Sequence, residues 1–368
     1  MSTGTEREAQ REAEERTREA ASAPSGSRSV RELPTWFAWG MLGGTAVVVG
    51  GGTVLVGGSI GLAVVAVAVV YAAVVYLSSR VVEGPRKATD RLVTVLVTTA
   101  FLIAMAPLVS VVVTVLANGM ARFDVQFFTN SMRGVIGEGG GGYHAVVGTL
   151  LITALAALMS IPVGLLTAVY LVEYGRGRLA RAITFFVDVM TGIPSIVAGL
   201  FAFALFALFF GPGVRLGFMG SVALSVLMIP VVVRSTEEML KIVPNELREA
   251  SYALGVPKWR TILKVVVPTS IAGIASGITL SIARVIGETA PLLIAVGITT
   301  GVNLNPFDGR MATLPVFSYY SYVAPGVPRE PFIDRAWTAA LVLIILVMVL
   351  NLAARLIARL FAPKTAGR

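Results

Sequence analysis

The run VVVPTSIAGIASGITLSIARVIGETAPLLIAVGI, residues 265–298, carries only two charges, Arg284 and Glu288. As a helix it exceeds the roughly 20 residues that cross a hydrocarbon core ~30 Å thick, and nothing in it has the period of a barrel strand. It reads as a membrane-crossing helix. The two charges then need a reason, because an ionised side chain at the bilayer centre costs at least ~3 kcal/mol and is seldom left facing lipid.

Apolar runs on either side extend the reading. They lie at about 36–56, 58–79, 92–117, 145–172, 183–210, 217–233 and 337–361, in a chain of 368 residues that is 55% hydrophobic with a mean hydropathy of +0.81. The expected fold class is all-α, a polytopic membrane protein of about eight transmembrane helices. The first two runs are separated by VGGSIG, residues 56–61, which suits a tight helical hairpin.

The chain has no cysteine, which excludes disulfides, thiolate metal sites and thiol catalysis. Its one histidine, His144, follows the run GEGGGG (137–142) and reads as incidental, so no metal site and no cofactor in this chain are expected. A net charge of +9 raises the question of nucleic acid, but the basic residues sit in short connections and form no continuous stripe. Residues 1–35 hold seven Glu and six Arg and read as a disordered, solvated tail. No secretory signal is expected, since the first apolar run starts only near Trp36.

Positive charge orients the spans. With the N-terminus placed in the cytoplasm, inside segments hold 23 basic residues and outside segments hold six, Arg122, Arg133, Arg215, Arg310, Arg329 and Arg335. That asymmetry fits eight crossings with both termini cytoplasmic in the cell membrane. Two long outside connections, 118–144 and 299–336, suit either a surface for an external partner or ordinary ordered loops.

The inside connection RSTEEMLKIVPNELREASYALGVPKWRTILKVVVP (234–268) carries helix signals. Pro244 and Asn245 start a helix, Glu246 and Glu249 suit its first turn, and Gly255 with Pro257 ends it. Leu247, Ala250, Ser251 and Leu254 would share a face. Glu249, Ala250, Ser251, Gly255 and Pro268 resemble the cytoplasmic EAA loop of ABC importer permeases, with Ser251 standing for the family's second alanine. That resemblance implies a coupling helix docked on a separate ATP-hydrolysing subunit. The chain has no phosphate-cradling G-x-x-x-x-G-K-[ST] of its own.

ARVIGETAPLL (283–293), TGIPSIVAGLFAF (191–203) and LREASYALGVPKW (247–259) resemble the PstA type of phosphate transport permease over residues of roughly 90–361. The resemblance implies a permease domain at 90–363 with a type-1 core of six helices, preceded by an extra hairpin at 36–79. It also implies a translocation subunit rather than an enzyme, working with a second homologous permease subunit, two ATP-binding subunits that use the ATP, and an external phosphate-binding protein.

On one helix, Arg284 and Glu288 lie a turn apart and can pair. Gly287 allows close approach, and Pro291 frees the Gly287 carbonyl. The pair reads either as a substrate pathway, in which Arg284 meets phosphate and Glu288 moderates it, or as a structural bridge. Asp188 is expected near the inner interface. Thr191 and Ser195, beside Pro194, read as repair of a kinked backbone or as pathway lining. The same machine with another oxyanion as cargo, sulfate or molybdate, is one alternative, and an ion-coupled secondary transporter is another.

Overall fold

The computed structural model describes residues 33, 34 and 36–361. The charged tail expected at 1–35 therefore falls almost wholly outside the described residues, as does the end of the chain after 361. Among the described residues the chain is helical, without strands. It divides into two units, residues up to Ser110 and residues from Val111 onward.

In the first unit α1 (Phe37–Leu55) and α2 (Ile60–Val82) form the hairpin that the sequence predicts. Gly57, at φ +83°, supplies the left-handed residue of the turn. Ser59 then caps α2 by accepting from the Leu62 amide at 3.3 Å. The helices are joined by Tyr71, whose hydroxyl donates to the Ala38 carbonyl. Below α2, Glu83 accepts from Ser79 at 2.6 Å, from Arg91 at 2.7 Å and from the Leu33 amide at 2.8 Å. Burial alone would raise its pKa, but these donors outweigh burial and hold the carboxyl below its usual value.

Helix α3 (Pro85–Arg122) begins in the first unit and ends in the second. The second unit continues with α4 (Val125–Thr129), α5 (Tyr143–Tyr174), α6 (Gly177–Thr191), α7 (Ser195–Phe210) and α8 (Gly217–Ile242). After them come α9 (Asn245–Ala253), α10 (Lys258–Val285), α11 (Ala290–Ala295), α12 (Leu314–Val323) and α13 (Glu330–Phe361).

Seven of these helices are long and apolar enough to cross a membrane, and the α6–α7 pair makes an eighth if it is one span. The kink expected beside Pro194 in the span at 183–210 is a full break: the chain bends by 109° between the two helices. The cause is local. The chain leaves helical geometry at Pro194, whose ring cannot continue the hydrogen-bond ladder. Thr191 repairs the end of α6 by donating to the Val187 carbonyl at 2.9 Å, and Ser195 simply begins α7.

Helices α5 and α8 are the spine of the second unit, and they run parallel. Ser221 donates to the Ile152 carbonyl at 3.0 Å and Ser225 to the Ala156 carbonyl at 3.4 Å, a constant offset of 69 residues. Such hydroxyl bonds hold helices together where lipid gives no hydrophobic drive. The largest core surrounds this pair, with Ile152 and Ala156 from α5, Ala198, Ala202 and Phe206 from α7, Met219 to Val232 from α8, and Leu292 and Ala295 from α11. Small residues let backbones touch: a Cβ on Gly199 would lie 2.6 Å from the Pro291 Cα. A parallel pair requires the chain to travel back between them, and α6–α7 makes that return.

Candidate functional site

The span expected at 265–298 is two helices. Helix α10 starts earlier, at Lys258, and ends at Val285, while α11 resumes at Ala290. Arg284 is in the last turn of α10, Glu288 lies in the break, and Pro291 is in the first turn of α11. The break follows from the sequence: Pro291 cannot donate back, Gly287 adds backbone freedom, and the Glu288 amide closes a tight turn on the Val285 carbonyl at 3.1 Å.

This geometry corrects the expected ion pair. Glu288 is outside the helix, so helical spacing does not bring it to Arg284, and among the described residues neither side chain has an ion pair or hydrogen bond. Arg284 is exposed and Glu288 half-buried. Gly287 is exposed too, with open space where its side chain would be. Pro291 is buried against Gly199 of α7. The exposed face leading to Arg284 is unusual for a span: Thr269, Ala272, Ser276, Leu280 and Arg284 follow one another at helical spacing. Thr269 and Ser276 satisfy their hydroxyls on their own helix, donating to the carbonyls of Val265 and Ala272. Apart from Leu280 the face carries small and hydroxylated residues and ends in an unpaired guanidinium, which suits lipid poorly.

The loop residues gather at the opposite end of α10. Helix α9 forms where Pro244 and Asn245 predict it, and Gly255, at φ +74°, ends it. Glu249 and Ala250 are exposed on it, as are Leu247, Tyr252 and Leu254. Ser251 differs from the expected shared face. It is buried, and its hydroxyl meets that of Thr261 at 2.8 Å, so it ties α9 to the start of α10. Pro268 also differs, since it lies well inside α10, just beyond a π turn at Ile262–Val266 that absorbs the missing donor.

The sequence reading missed what holds this loop. The Arg248 guanidinium donates to Glu173 Oε1 at the end of α5 through Nε at 3.0 Å and one Nη at 2.8 Å. It also donates to the carbonyls of Val243 at 2.6 Å and Leu240 at 3.0 Å, groups left open by the end of α8. The Lys258 ammonium donates to the main-chain carbonyl of the same Glu173 and lies 4.8 Å from the Tyr174 ring centre. Asp188, expected near the interface, pairs with Arg234 of α8, which also bonds Glu237 at 2.7 Å.

Arg335 was also missed, read as an ordinary loop charge. It is wholly buried, stacked 4.5 Å from the Phe332 ring centre, and its Nη1 donates to the carbonyls of Gly137 and Gly139 at 2.8 Å each. Arg122 holds the next carbonyl, that of Gly140, at 3.0 Å. The glycines of GEGGGG let the strand of carbonyls turn inward, with positive φ at Gly137, Gly139 and Gly140. His144 is buried beside this loop, edge-on to Phe317 at 5.2 Å. Changing Arg335 to Met keeps the apolar stem and removes both carbonyl donors, so we expect a loss of ~2–3 kcal/mol. Thermal unfolding of the detergent-solubilised protein measures it, and an unchanged midpoint would make the guanidinium contacts inconsequential.

Residues 160–367 match the family described as "Binding-protein-dependent transport system inner membrane component". The chain is 50% identical over 275 residues to phosphate transport system permease protein PstA 1 of Mycobacterium tuberculosis (strain CDC 1551 / Oshkosh), covering 74% of this chain and 89% of that protein. To PstA of Pasteurella multocida (strain Pm70) it is 35% identical over 274 residues, covering 74% and 95%. In fold it is similar to a chain of a bacterial alginate ABC transporter solved in complex with alginate pentasaccharide-bound periplasmic protein, with a TM-score of 0.53 at 14% identity, covering 75% and 96%. By the family match and these identities, the chain belongs to the binding-protein-dependent transport permeases, among the PstA phosphate transport permeases.

Proposed function

We propose that this chain is the membrane-crossing subunit of an ATP-driven importer whose cargo is inorganic phosphate. The observation that carries the reading is Arg284, exposed and unpaired in a span, at the edge of an interrupted helix. A phosphate anion needs a cation on its route, and the guanidinium offers a planar fork that keeps its charge. Glu288, freed by the break, competes with phosphate for Arg284 and so favours release. Gly287 gives the anion room, while Pro291 sets the break and packs on Gly199. Thr191 and Ser195 belong to the α6–α7 bend.

The remaining parts follow from the loop. The exposed face of α9, with Glu249 and Ala250, seats on an ATP-hydrolysing subunit that supplies the energy. Gly255 ends the helix, Ser251 fixes it from within, and Pro268 sets the direction of α10. The working assembly holds a second related permease, two ATP-binding subunits and an external phosphate-binding protein. The basic ends of the helices face the cytoplasm. The core of six spans at 90–363 does the transport, and the hairpin at 36–79 is an addition to it.

The test is uptake of radiolabelled phosphate in cells expressing the chain with its chromosomal neighbours. The wild type is expected to take up phosphate, depend on ATP and ignore excess sulfate. Glu249→Ala is expected to lower uptake at least about tenfold, the effect of losing ~1.4 kcal/mol of docking, and to reduce the ATPase subunit recovered with it. Uptake that survives ATP depletion, or competition by sulfate, would overturn the reading.

A further inference from the structure

Helix α9 has few contacts of its own with the rest of the chain. Its outer face is exposed, and it is held from within by Arg248 and by Ser251. Both ends of the α9 loop reach one residue. Arg248, in α9, lies on the Glu173 carboxylate, and Lys258, at the first residue of α10, lies on the Glu173 main-chain carbonyl. The Arg248 and Glu173 side chains are only 12% and 5% exposed. A buried pair of this kind holds its geometry, because separating it leaves two charges without partners.

The Glu173 end of α5 is itself special. Residues Tyr170–Tyr174 form a π turn, a wide turn often found where a helix does something functional. From there α5 runs unbroken to Tyr143, where Gly148 touches the Ala312 backbone and Thr149 Oγ1 accepts from the Leu314 amide at 2.8 Å. One continuous helix, with Pro162 inside it, thus joins the loop at one end to the segment before α12 at the other.

We propose that Glu173 is the positioning residue that makes α9 and α5 move as one piece. A displacement imposed on α9 then passes through the Arg248–Glu173 pair into α5 and reaches the segment at Ala312–Leu314. This rests on the reading that α9 docks the ATPase subunit. It assigns Glu173, Arg248 and Lys258 to coupling rather than to docking, since the Arg248–Glu173 pair is buried inside the chain and Lys258, though exposed, donates its ammonium to the Glu173 carbonyl.

The assembled transporter in liposomes, supplied with inorganic phosphate and its binding protein, gives the test as phosphate moved per ATP hydrolysed. Glu173→Gln and Arg248→Met are each expected to lower this ratio at least about fivefold, the low end of coupling between linked sites, with ATPase subunit still bound and hydrolysing. The double variant is expected to be no worse than Arg248→Met alone, because the contact with Glu173 is already lost there. Lys258→Gln, an exposed change that folding tolerates, is expected to lower the ratio in the same direction by a smaller factor. An unchanged ratio, or hydrolysis and transport falling together, would overturn the proposal. Failure of the docking reading is separable: it would appear as ATPase subunit still bound at full level in Glu249→Ala.

Discussion

Replacing Arg284 by Gln is expected to cut phosphate uptake on the order of a hundredfold while the assembled complex is recovered in normal amount. The magnitude follows from losing charged hydrogen bonds to the passing phosphate, ~1.5–3 kcal/mol, a range that contains the ~2.7 kcal/mol of a hundredfold change. Recovery is expected because Arg284 holds nothing in the fold: it is exposed and bonds no described residue. A structural bridge would behave otherwise. If Arg284→Gln destabilised the protein as much as it slowed transport, the guanidinium would be a brace formed with a neighbouring subunit. Glu288→Gln is the informative companion. Removing the competitor should strengthen phosphate retention and slow release, so uptake falls while bound phosphate rises.

An equally large effect, on folding, is expected at Gly148. A Cβ built there would overlap the carbonyl oxygen of Ala312, which is backbone and cannot rotate away. Both partners are buried, and the next residue, Thr149, accepts from the Leu314 amide, so the chain is pinned to α5 two residues beyond the overlap. Gly148→Ala must therefore push the segment off α5 or bend the helix. The expected cost is above ~3 kcal/mol, at the upper end for overpacking and tied to the loss of a buried hydrogen bond. Thermal unfolding and protease resistance of the solubilised protein measure it. A midpoint within a degree or two of wild type would mean that the two backbones are farther apart than described.

Much of the fold is legible because long apolar runs can only be membrane helices, and α1, α2, α5 and α13 lie close to where hydropathy puts them. Helix α9 is legible for a different reason: Pro244, Asn245 and Gly255 are local punctuation. The misreadings share a cause. In the pair Arg284 and Glu288 the residues were found but their geometry was not, since whether Gly287 and Pro291 kink a helix or end it depends on what α11 packs against. The α6–α7 bend has the same origin at Pro194. The Glu173–Arg248 pair was invisible because its members are 75 residues apart and each looks like an ordinary loop charge. Arg335 was invisible because burial of a charge is decided by the carbonyls of GEGGGG, nearly two hundred residues earlier.

The parallel run of α5 and α8 fixes a parity for this part of the chain. Two membrane-crossing helices pointing the same way need an odd number of crossings between them, and by length and composition the bent α6–α7 pair is the candidate for that one crossing. The bent pair is thus the element that keeps the Glu173 end of α5 and the Arg248 loop after α8 on one face of the membrane. Remove it, and α8 would insert upside down, carrying α9 to the wrong side with every helix still apolar and every cap intact. For this chain, topology depends on its least regular span.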